Sequence, residues 1–365
     1  MDATDFESAG LYDPKAPNAA ERLALVQWLA SQGVTIEQMT DAARESSLVG
    51  LAGDLALRPI PHLTLADLAL RIGLPADQIR EMSLAAGIRP GSADERAFTD
   101  EDVETFRAFM AGAALFGAIS TKRLARTIGA ALAQIAEATV ALYLVAREAP
   151  LVASQASELV LAQQNLQGVQ SLDALQVCLR GLFRAHMAAA IRRQRRARSA
   201  QSVDTLRLTI GFVDLVGFTT LSRRMTSREL AEVIDRFEES AHDIVTARDG
   251  RLVKLIGDEV MFVCVDASAA CDIALTLLER FEHDPTVTPR GALACGDLLF
   301  RGGDYYGPIV NLAARLADLA VPRELLTSAA VAAQAAQKGL RFESAGKRML
   351  KGFDEPVAVL TVGRA

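Results

Sequence analysis

The 365-residue sequence is poor in aromatic residues and in cysteine. Aromatic side chains make up 5% of a chain that is 50% apolar, so alanine, leucine and valine must supply most of its core, as in packed helices. This composition excludes disordered and collagen-like classes. The four cysteines contain no Cys-x-x-Cys pair, which favours reduced thiols in a cytoplasm.

An excess of positive charge is also missing, because 39 lysines and arginines stand against 45 acidic residues, for a net charge of -6. The chain as a whole therefore has no electrostatic reason to bind nucleic acid or an anionic bilayer. Residues 1–17 lack the positive flank and apolar run of a signal peptide. The most apolar stretch, residues 111–145, is interrupted by charged side chains, and we expect no membrane-spanning helix and a cytoplasmic protein. The interrupting residues are Lys122, Arg123, Arg126 and Glu137.

Apolar residues at three-to-four spacing predict an all-helical domain over residues 19–170, after a flexible N-terminus at 1–18. A connecting helix is predicted over 171–202. It ends in a basic collar of five arginines, Arg192, Arg193, Arg195, Arg196 and Arg198. Because cations suit the last turns of a helix, we interpret the collar as part of a connecting helix and expect no nucleic-acid partner.

Residues 63–87 have the pattern of two short helices around a glycine turn, as in a helix-turn-helix. The functional interpretation is DNA binding. The second helix, however, carries Arg80 as its one cation against Asp77 and Glu81, whereas a recognition helix should be more basic. We therefore favour an αα packing unit. The alternative is a regulatory protein that binds DNA or senses a ligand through its N-terminal half and has weak or no catalysis.

From residue 203 to 365 strands alternate with helices. A β-rich run at 206–213 precedes a helix that opens at Thr226, and a hairpin follows around Gly257-Asp258. The order β, α, hairpin, α, β predicts an α+β domain with a ferredoxin-like sheet and helices packed on one face.

Two carboxylates stand at strand ends in this domain: Asp214 closes the first strand, and Asp258 lies at the hairpin tip. Two hard anionic ligands with room for water and phosphate oxygens suit Mg²⁺ or Mn²⁺. Gly-Asp turns also occur without any ligand, so the pair alone leaves both interpretations open.

Several spaced motifs together resemble the catalytic domain of class III nucleotidyl cyclases, over about residue 204 to the C-terminus. These are Phe-Val-Asp-Leu-Val-Gly-Phe-Thr at 212–219, Lys254 through Asp258, Arg290, and Asp304 with Asn311 and Arg315. A helical half joined to one such domain is similar to the soluble mycobacterial adenylyl cyclases of this class. The segment 301–305 also resembles the GGDEF signature of diguanylate cyclases, but that signature belongs on the central hairpin, which Gly257-Asp258 already occupies.

The resemblance implies that Asp214 and Asp258 hold two divalent ions, Mg²⁺ or Mn²⁺, for in-line attack of the ribose 3′-hydroxyl on the α-phosphorus. It implies that Arg315 neutralises charge on the α-phosphate and that Asn311 orients the ribose. Arg290 is a candidate for binding the departing pyrophosphate. Lys351 is a weaker candidate for the same role.

Lys254 and Asp304 occupy the two base-reading positions of the family. A cationic donor and a carboxylate acceptor match N1 and the N6 amino group of adenine, so the expected substrate is ATP. Lys254 and Asp258 are about 13 Å apart along a strand at ~3.3 Å per residue, too far for one compact pocket. The resemblance implies a homodimer in which one chain supplies the metal ligands and the other supplies Lys254, Asp304, Asn311 and Arg315.

The connecting helix leads directly into the first catalytic strand, so the helical half is expected to control the cyclase domain. His186 on this helix is a candidate proton sensor. The apolar block at 111–145 is a candidate site for a lipid-like effector. For both features a plain structural role is the alternative.

Overall fold

The computed structural model describes residues 1–198, 204–335 and 339–365. Within them the chain forms two units, Met1–Arg184 and Ala185–Ala365. The predicted start of the catalytic domain, at residues 202–203, lies outside the described residues.

The first unit is helical, as the sequence predicts. Its α-helices are α1 (Ala3–Ser8), α2 (Ala19–Ser31), α3 (Ile36–Arg44), α4 (Leu51–Leu57), α5 (Leu65–Ile72), α6 (Ala76–Ala85), α7 (Asp100–Phe116), α8 (Ala118–Tyr143), α9 (Ala149–Ala153) and α10 (Glu158–Gln170), with a π-helical segment, Leu144–Glu148, between α8 and α9. The segment expected to be flexible, 1–18, contains α1. That helix forms because Asp2 caps its first turn and Phe6 is buried in the core.

Two separate cores stabilise this unit. One joins α1 to α4 with α10, around Phe6, Leu25 and Leu29. The other joins α5, α6, α7 and α8, around Leu68 and Phe106. The helix-turn-helix pattern is therefore a real helix pair, turning at Gly73 in the left-handed conformation, and it packs into the second core.

The most apolar helical stretch, Ala118–Ala153, is long and apolar enough to cross a membrane by length and composition, with a mean hydropathy of 1.7 over its best window. None of that window is buried within the structure. This differs from our expectation. Three of the four interrupting charges, Lys122, Arg123 and Arg126, lie near the start of the stretch, and Glu137 is the only one of the four farther along. A single helix of this kind is weak evidence for a membrane span.

Helix α11 (Leu172–Ala197) covers most of the connecting helix predicted over 171–202, but it ends before Arg198, the last arginine of the basic collar. Its second half belongs to the second unit. There Ala197 is buried against the sheet, and Arg198 forms a β-bridge with Leu206.

The second unit is an α+β domain built on a mixed sheet. Its described strands are β1 (Thr205–Leu215), β2 (Arg251–Ile256), β3 (Glu259–Cys264), β4 (Pro289–Arg301), β5 (Asp304–Tyr306), β6 (Leu325–Ser328), β7 (Leu340–Arg348) and β8 (Val357–Arg364). They follow the order β2-β3-β1-β4-β6-β8-β7, with β5 paired to β4. The β4–β6 pair is parallel and the others are antiparallel.

Helices cover both faces of this sheet, which corrects the expectation of a single covered face. The described helices are α12 (Phe218–Ser222), α13 (Ser227–Ala247), α14 (Ala267–Arg280), α15 (Pro308–Leu319) and α16 (Ala329–Gln334). Helices α13, α14 and α16 pack on one face, through Phe237 and Ile273 among others. Helix α15 packs on the opposite face through Leu312 and Leu316, because β1 is apolar on both sides.

Candidate active site

Three charged residues form a row across neighbouring strands, at one end of each strand. Asp214 on β1 pairs directly with Glu259 on β3 and with Arg290 on β4. Residues opposite each other in antiparallel strands point to the same face. Strand pairing thus brings together one arginine and two carboxylates that lie far apart in the chain.

The Arg290 guanidinium donates hydrogen bonds to other groups of the protein. Its Nε and Nη2 donate to Asp214 Oδ2 at 3.2 and 3.1 Å. Its Nη1 donates to the carbonyl oxygens of Asp318 and Ala320, at the end of α15, at 2.9 and 3.0 Å. The guanidinium therefore fixes Asp214 and the end of α15. Its role toward pyrophosphate stays a prediction, one that requires these bonds to rearrange.

Asp258 reaches the same place through the hairpin turn. Gly257 adopts a φ of 65°, and the Leu215 amide donates to the Asp258 carbonyl oxygen at 3.2 Å. The turn thus lies beside the end of β1. Burial raises the pKa of the Asp258 carboxyl above its ordinary value, and the negative charge of Asp214 raises it further.

Glu259 is a third carboxylate that our sequence analysis did not identify. Burial, followed by the charges of Asp214, Asp318 and Asp258, raises the pKa of Glu259 to about 7. The hairpin pattern could have identified Glu259. If β3 pairs with β1 so that Asp258 lies at the end of β1, then Glu259 lies opposite Asp214. The sequence did not give the register between β1 and β3.

The two residues predicted to read the base form an ion pair. Lys254 Nζ lies 2.6 Å from Asp304 Oδ2. The other carboxylate oxygen, Oδ1, accepts a hydrogen bond of 2.8 Å from the Tyr305 amide. A donor and an acceptor thus lie side by side, and both are accessible to solvent.

Asn311 and Arg315 lie one turn apart on the exposed side of α15. The Arg315 guanidinium contacts Asp318 on the same helix at 3.1 Å. Lys351 is exposed in the turn between β7 and β8. Among the residues that the structure describes, no hydrogen bond or ion pair joins Lys351 to the rest of the predicted site.

The donor set fits a hard divalent cation. Asp214 and Asp258 present carboxylate oxygens at neighbouring strand ends. Burial, and then the negative charge of Asp214, raise the pKa of the Asp258 carboxyl, and a bound cation would favour its ionised form. Within the described ranges no group of three or more histidine, cysteine or acidic residues has the geometry of a metal cage. Mg²⁺ and Mn²⁺ suit such an incomplete set, because substrate phosphates and water complete their coordination.

Comparison with known proteins identifies relatives of this chain. Residues 200–362 match the family model described as the adenylate and guanylate cyclase catalytic domain. An uncharacterized protein of Mycobacterium tuberculosis is 31% identical over 98% of this chain and 93% of its own length. An adenylate cyclase of Streptomyces coelicolor is 36% identical over 65% of this chain and 62% of its own. A pH-sensitive adenylate cyclase of M. tuberculosis is 26% identical over 94% of this chain and 88% of its own.

Proposed function

This chain belongs to the class III nucleotidyl cyclases, the adenylate and guanylate cyclase family, and on that premise we propose that it converts ATP to 3′,5′-cyclic AMP and pyrophosphate. One observation carries the choice of ATP: the Lys254–Asp304 pair offers a cationic donor next to a carboxylate acceptor. Adenine needs this pattern, since its N1 accepts and its N6 amino group donates. Guanine presents the reverse arrangement. The relative from S. coelicolor, an adenylate cyclase by name, supports the same substrate.

The reaction is an in-line displacement at phosphorus. The ribose 3′-oxygen forms a bond to the α-phosphorus, the bond from that phosphorus to the bridging oxygen breaks, and pyrophosphate leaves with the electron pair. The proton of the 3′-hydroxyl is released. Asp214 and Asp258 would hold divalent cations, which supply Lewis-acid activation of the hydroxyl and charge compensation for the triphosphate when bound.

The protein's own residues bind and orient the substrate. Lys254 and Asp304 hold the adenine ring, and Asn311 orients the ribose through its side-chain amide. Arg315 neutralises the charge that grows on the α-phosphate oxygens, a task suited to a planar guanidinium. In the protein without substrate, the Asp318 carboxylate keeps the Arg315 guanidinium in place.

We propose that the working form is a homodimer with the site shared between two chains. Two apolar side chains next to Lys254 support a partner at this surface, since Leu255 and Ile256 on the edge strand β2 are 36% and 47% exposed. In this arrangement one chain supplies Asp214 and Asp258, and its partner supplies the base-reading pair and Arg315.

Complementation tests both the reaction and the shared site. Asp214→Ala and Arg315→Ala chains, each inactive alone, are co-expressed with different affinity tags, and mixed dimers are purified through both tags. One of the two sites in a mixed dimer has every wild-type group, so its cyclic AMP production with ATP and Mn²⁺ should be about half of the wild-type rate.

The matched control pairs Asp214→Ala with Asp258→Ala. These two changes remove ligands from the same half of the site, so no site recovers and the mixed dimer should stay inactive. Inactive Asp214→Ala/Arg315→Ala dimers would contradict the shared site. A wild-type protein that makes no cyclic AMP would contradict the reaction.

We further propose that the protein is cytoplasmic and that its helical half controls the cyclase unit. The four cysteines are free, as is usual for thiols in the reducing cytoplasm, and this supports the proposed location. Helix α11 provides a continuous connection, and His186 lies exposed on it. A relative that is named pH-sensitive is consistent with a proton signal of this kind.

A further inference from the structure

Arg251, the first residue of β2, clamps the hairpin that carries Asp304. Its Nη2 donates a hydrogen bond of 2.5 Å to the Gly303 carbonyl oxygen, and its Nη1 donates one of 3.4 Å to the Tyr305 hydroxyl. The guanidinium carbon also lies 5.5 Å from the centre of the Tyr305 ring. Arg251 therefore contacts the residues on both sides of Asp304 without touching Asp304 itself.

The β4–β5 hairpin needs such a clamp because its turn restricts the backbone only weakly. Gly302 and Gly303 form the two-residue turn between β4 and β5, with φ values of 61° and 86°. Glycines restrict the backbone weakly, and β5 is only three residues long. Tyr305, which is buried, anchors one side of Asp304, and the bond from Arg251 to Gly303 anchors the other.

A β-bulge places this clamp on the same face as the base-reading lysine. Arg251 pairs with Val263, and Lys254 pairs with Met261, so three residue steps on β2 match two steps on β3. Without the extra residue, positions three apart would point to opposite faces. Arg251 and Lys254 instead approach the β5 hairpin together.

The connecting helix ends at the same place. Arg196 forms an ion pair of 2.9 Å with Asp249, two residues before Arg251. Burial lowers the pKa of the nearby Arg193 guanidinium, and the charge of Arg251 acts in the same direction. The basic collar thus lies over the start of β2, next to the clamp.

We propose that Arg251 is a positioning residue for base selection, one that holds Asp304 beside Lys254 so that the pair matches adenine. This inference rests on the proposed function, because it assigns Asp304 to the base. Arg251 itself does not touch the nucleotide. Its loss should therefore weaken the choice of adenine over guanine, while the phosphate-binding groups remain unchanged.

The test measures binding without turnover. The nucleotides 3′-deoxy-ATP and 3′-deoxy-GTP lack the attacking hydroxyl, so their dissociation constants with Mn²⁺ can be measured by calorimetry on the full-length protein. We expect Arg251→Gln to reduce the preference for the adenine nucleotide by about fivefold to thirtyfold, the range for loss of one or two hydrogen bonds. Arg251→Lys keeps the charge and one donor to Gly303, and should lose about threefold.

Two controls separate positioning from general damage. Arg236→Gln removes an ion pair of 2.8 Å with Asp284 elsewhere in the same unit and should leave the preference unchanged. In an Asp304→Asn background, the further change Arg251→Gln should alter the preference by less than about twofold, because residues that act through one group are not additive. A purely structural role for Arg251 would give the same loss in both backgrounds.

The outcomes distinguish this inference from the proposed reaction. A wild-type preference that Arg251→Gln leaves intact would overturn the role of Arg251 even if cyclic AMP is made. If Arg251→Gln does not fold, an unchanged preference in Arg251→Lys has the same meaning. Loss of the preference in a protein that makes no cyclic AMP would support the inference and refute the reaction.

Discussion

Replacing Arg290 by methionine should destabilise the second unit by about 2–4 kcal/mol. The arginine donates to Asp214 and to two carbonyl oxygens at the end of α15, and the Arg290 and Asp214 side chains are only 24% and 22% exposed. Methionine keeps the length of the side chain but donates to none of these acceptors. The Asp214 carboxylate then loses its cation, which costs more than a surface ion pair and less than a fully buried one.

Hydrogen exchange measured by mass spectrometry resolves the effect by segment. A loss of about 2–4 kcal/mol lowers protection of β1, β4 and α15 by about 30-fold to several hundredfold, at 1.4 kcal/mol per tenfold. Peptides from α2, in the first unit, serve as an internal reference that should not change. Segmental measurement is needed because a chain of two units need not unfold in one step.

Arg228→Met is the matched control, since it removes an ion pair with Glu232 whose side chains are 90% and 64% exposed. An exposed helical pair of this kind contributes about 0.5 kcal/mol or less. If protection in Arg290→Met falls no further than in Arg228→Met, then Arg290 does not hold Asp214 and α15 together as we have argued.

Two further predictions concern Glu259 and the Lys254–Asp304 pair. Because folding raises the pKa of Glu259 from 4.5 to about 7, the folded protein holds this proton more tightly than the unfolded chain, and stability should fall as pH rises from about 4.5 to 7. In EDTA, the free energy of unfolding of Glu259→Gln should decline over this pH range by about 1–2 kcal/mol less than that of the wild type, after allowance for solvent screening. Identical pH profiles of stability for the wild type and Glu259→Gln would contradict the assignment. Changing Lys254 to glutamate together with Asp304 to cysteine should raise the KM for ATP at least tenfold, as measured by cyclic AMP formation, because the adenine pattern is no longer matched. An unchanged ratio of ATP to GTP use would show that these residues do not read the base.

Local signals in the sequence were enough for the order and type of most elements. Thr226 and Glu229 predicted the start of α13, and both sides of that capping box are present. The Gly257-Asp258 turn predicted the β2–β3 hairpin, which forms as expected. Helix α1 was not predicted, because the burial of Phe6 depends on a core formed by helices farther along the chain.

The candidate site residues were proposed from the resemblance to the cyclase family, which did not give their contacts in this chain. Arg290 was assigned to pyrophosphate from its place at a strand start. In the structure Arg290 donates to Asp214, which the β1–β4 pairing brings within reach, and to the end of α15, which packs on this face of the sheet. Glu259 was missed for the same reason, since its neighbour across the sheet is 45 residues away in the chain.

Side-chain period, caps and turn residues act over a few positions, so the amino-acid order specifies helices, hairpins and the two carboxylates at strand ends. Strand neighbours and registers arise from pairing between distant segments, and a shift of one residue turns every side chain to the other face. The bulge between Leu252 and Lys254 is such a shift, and no local sequence pattern predicts it. Through this bulge Arg251 and Lys254 lie on one face of the sheet, where they meet the residues around Asp304.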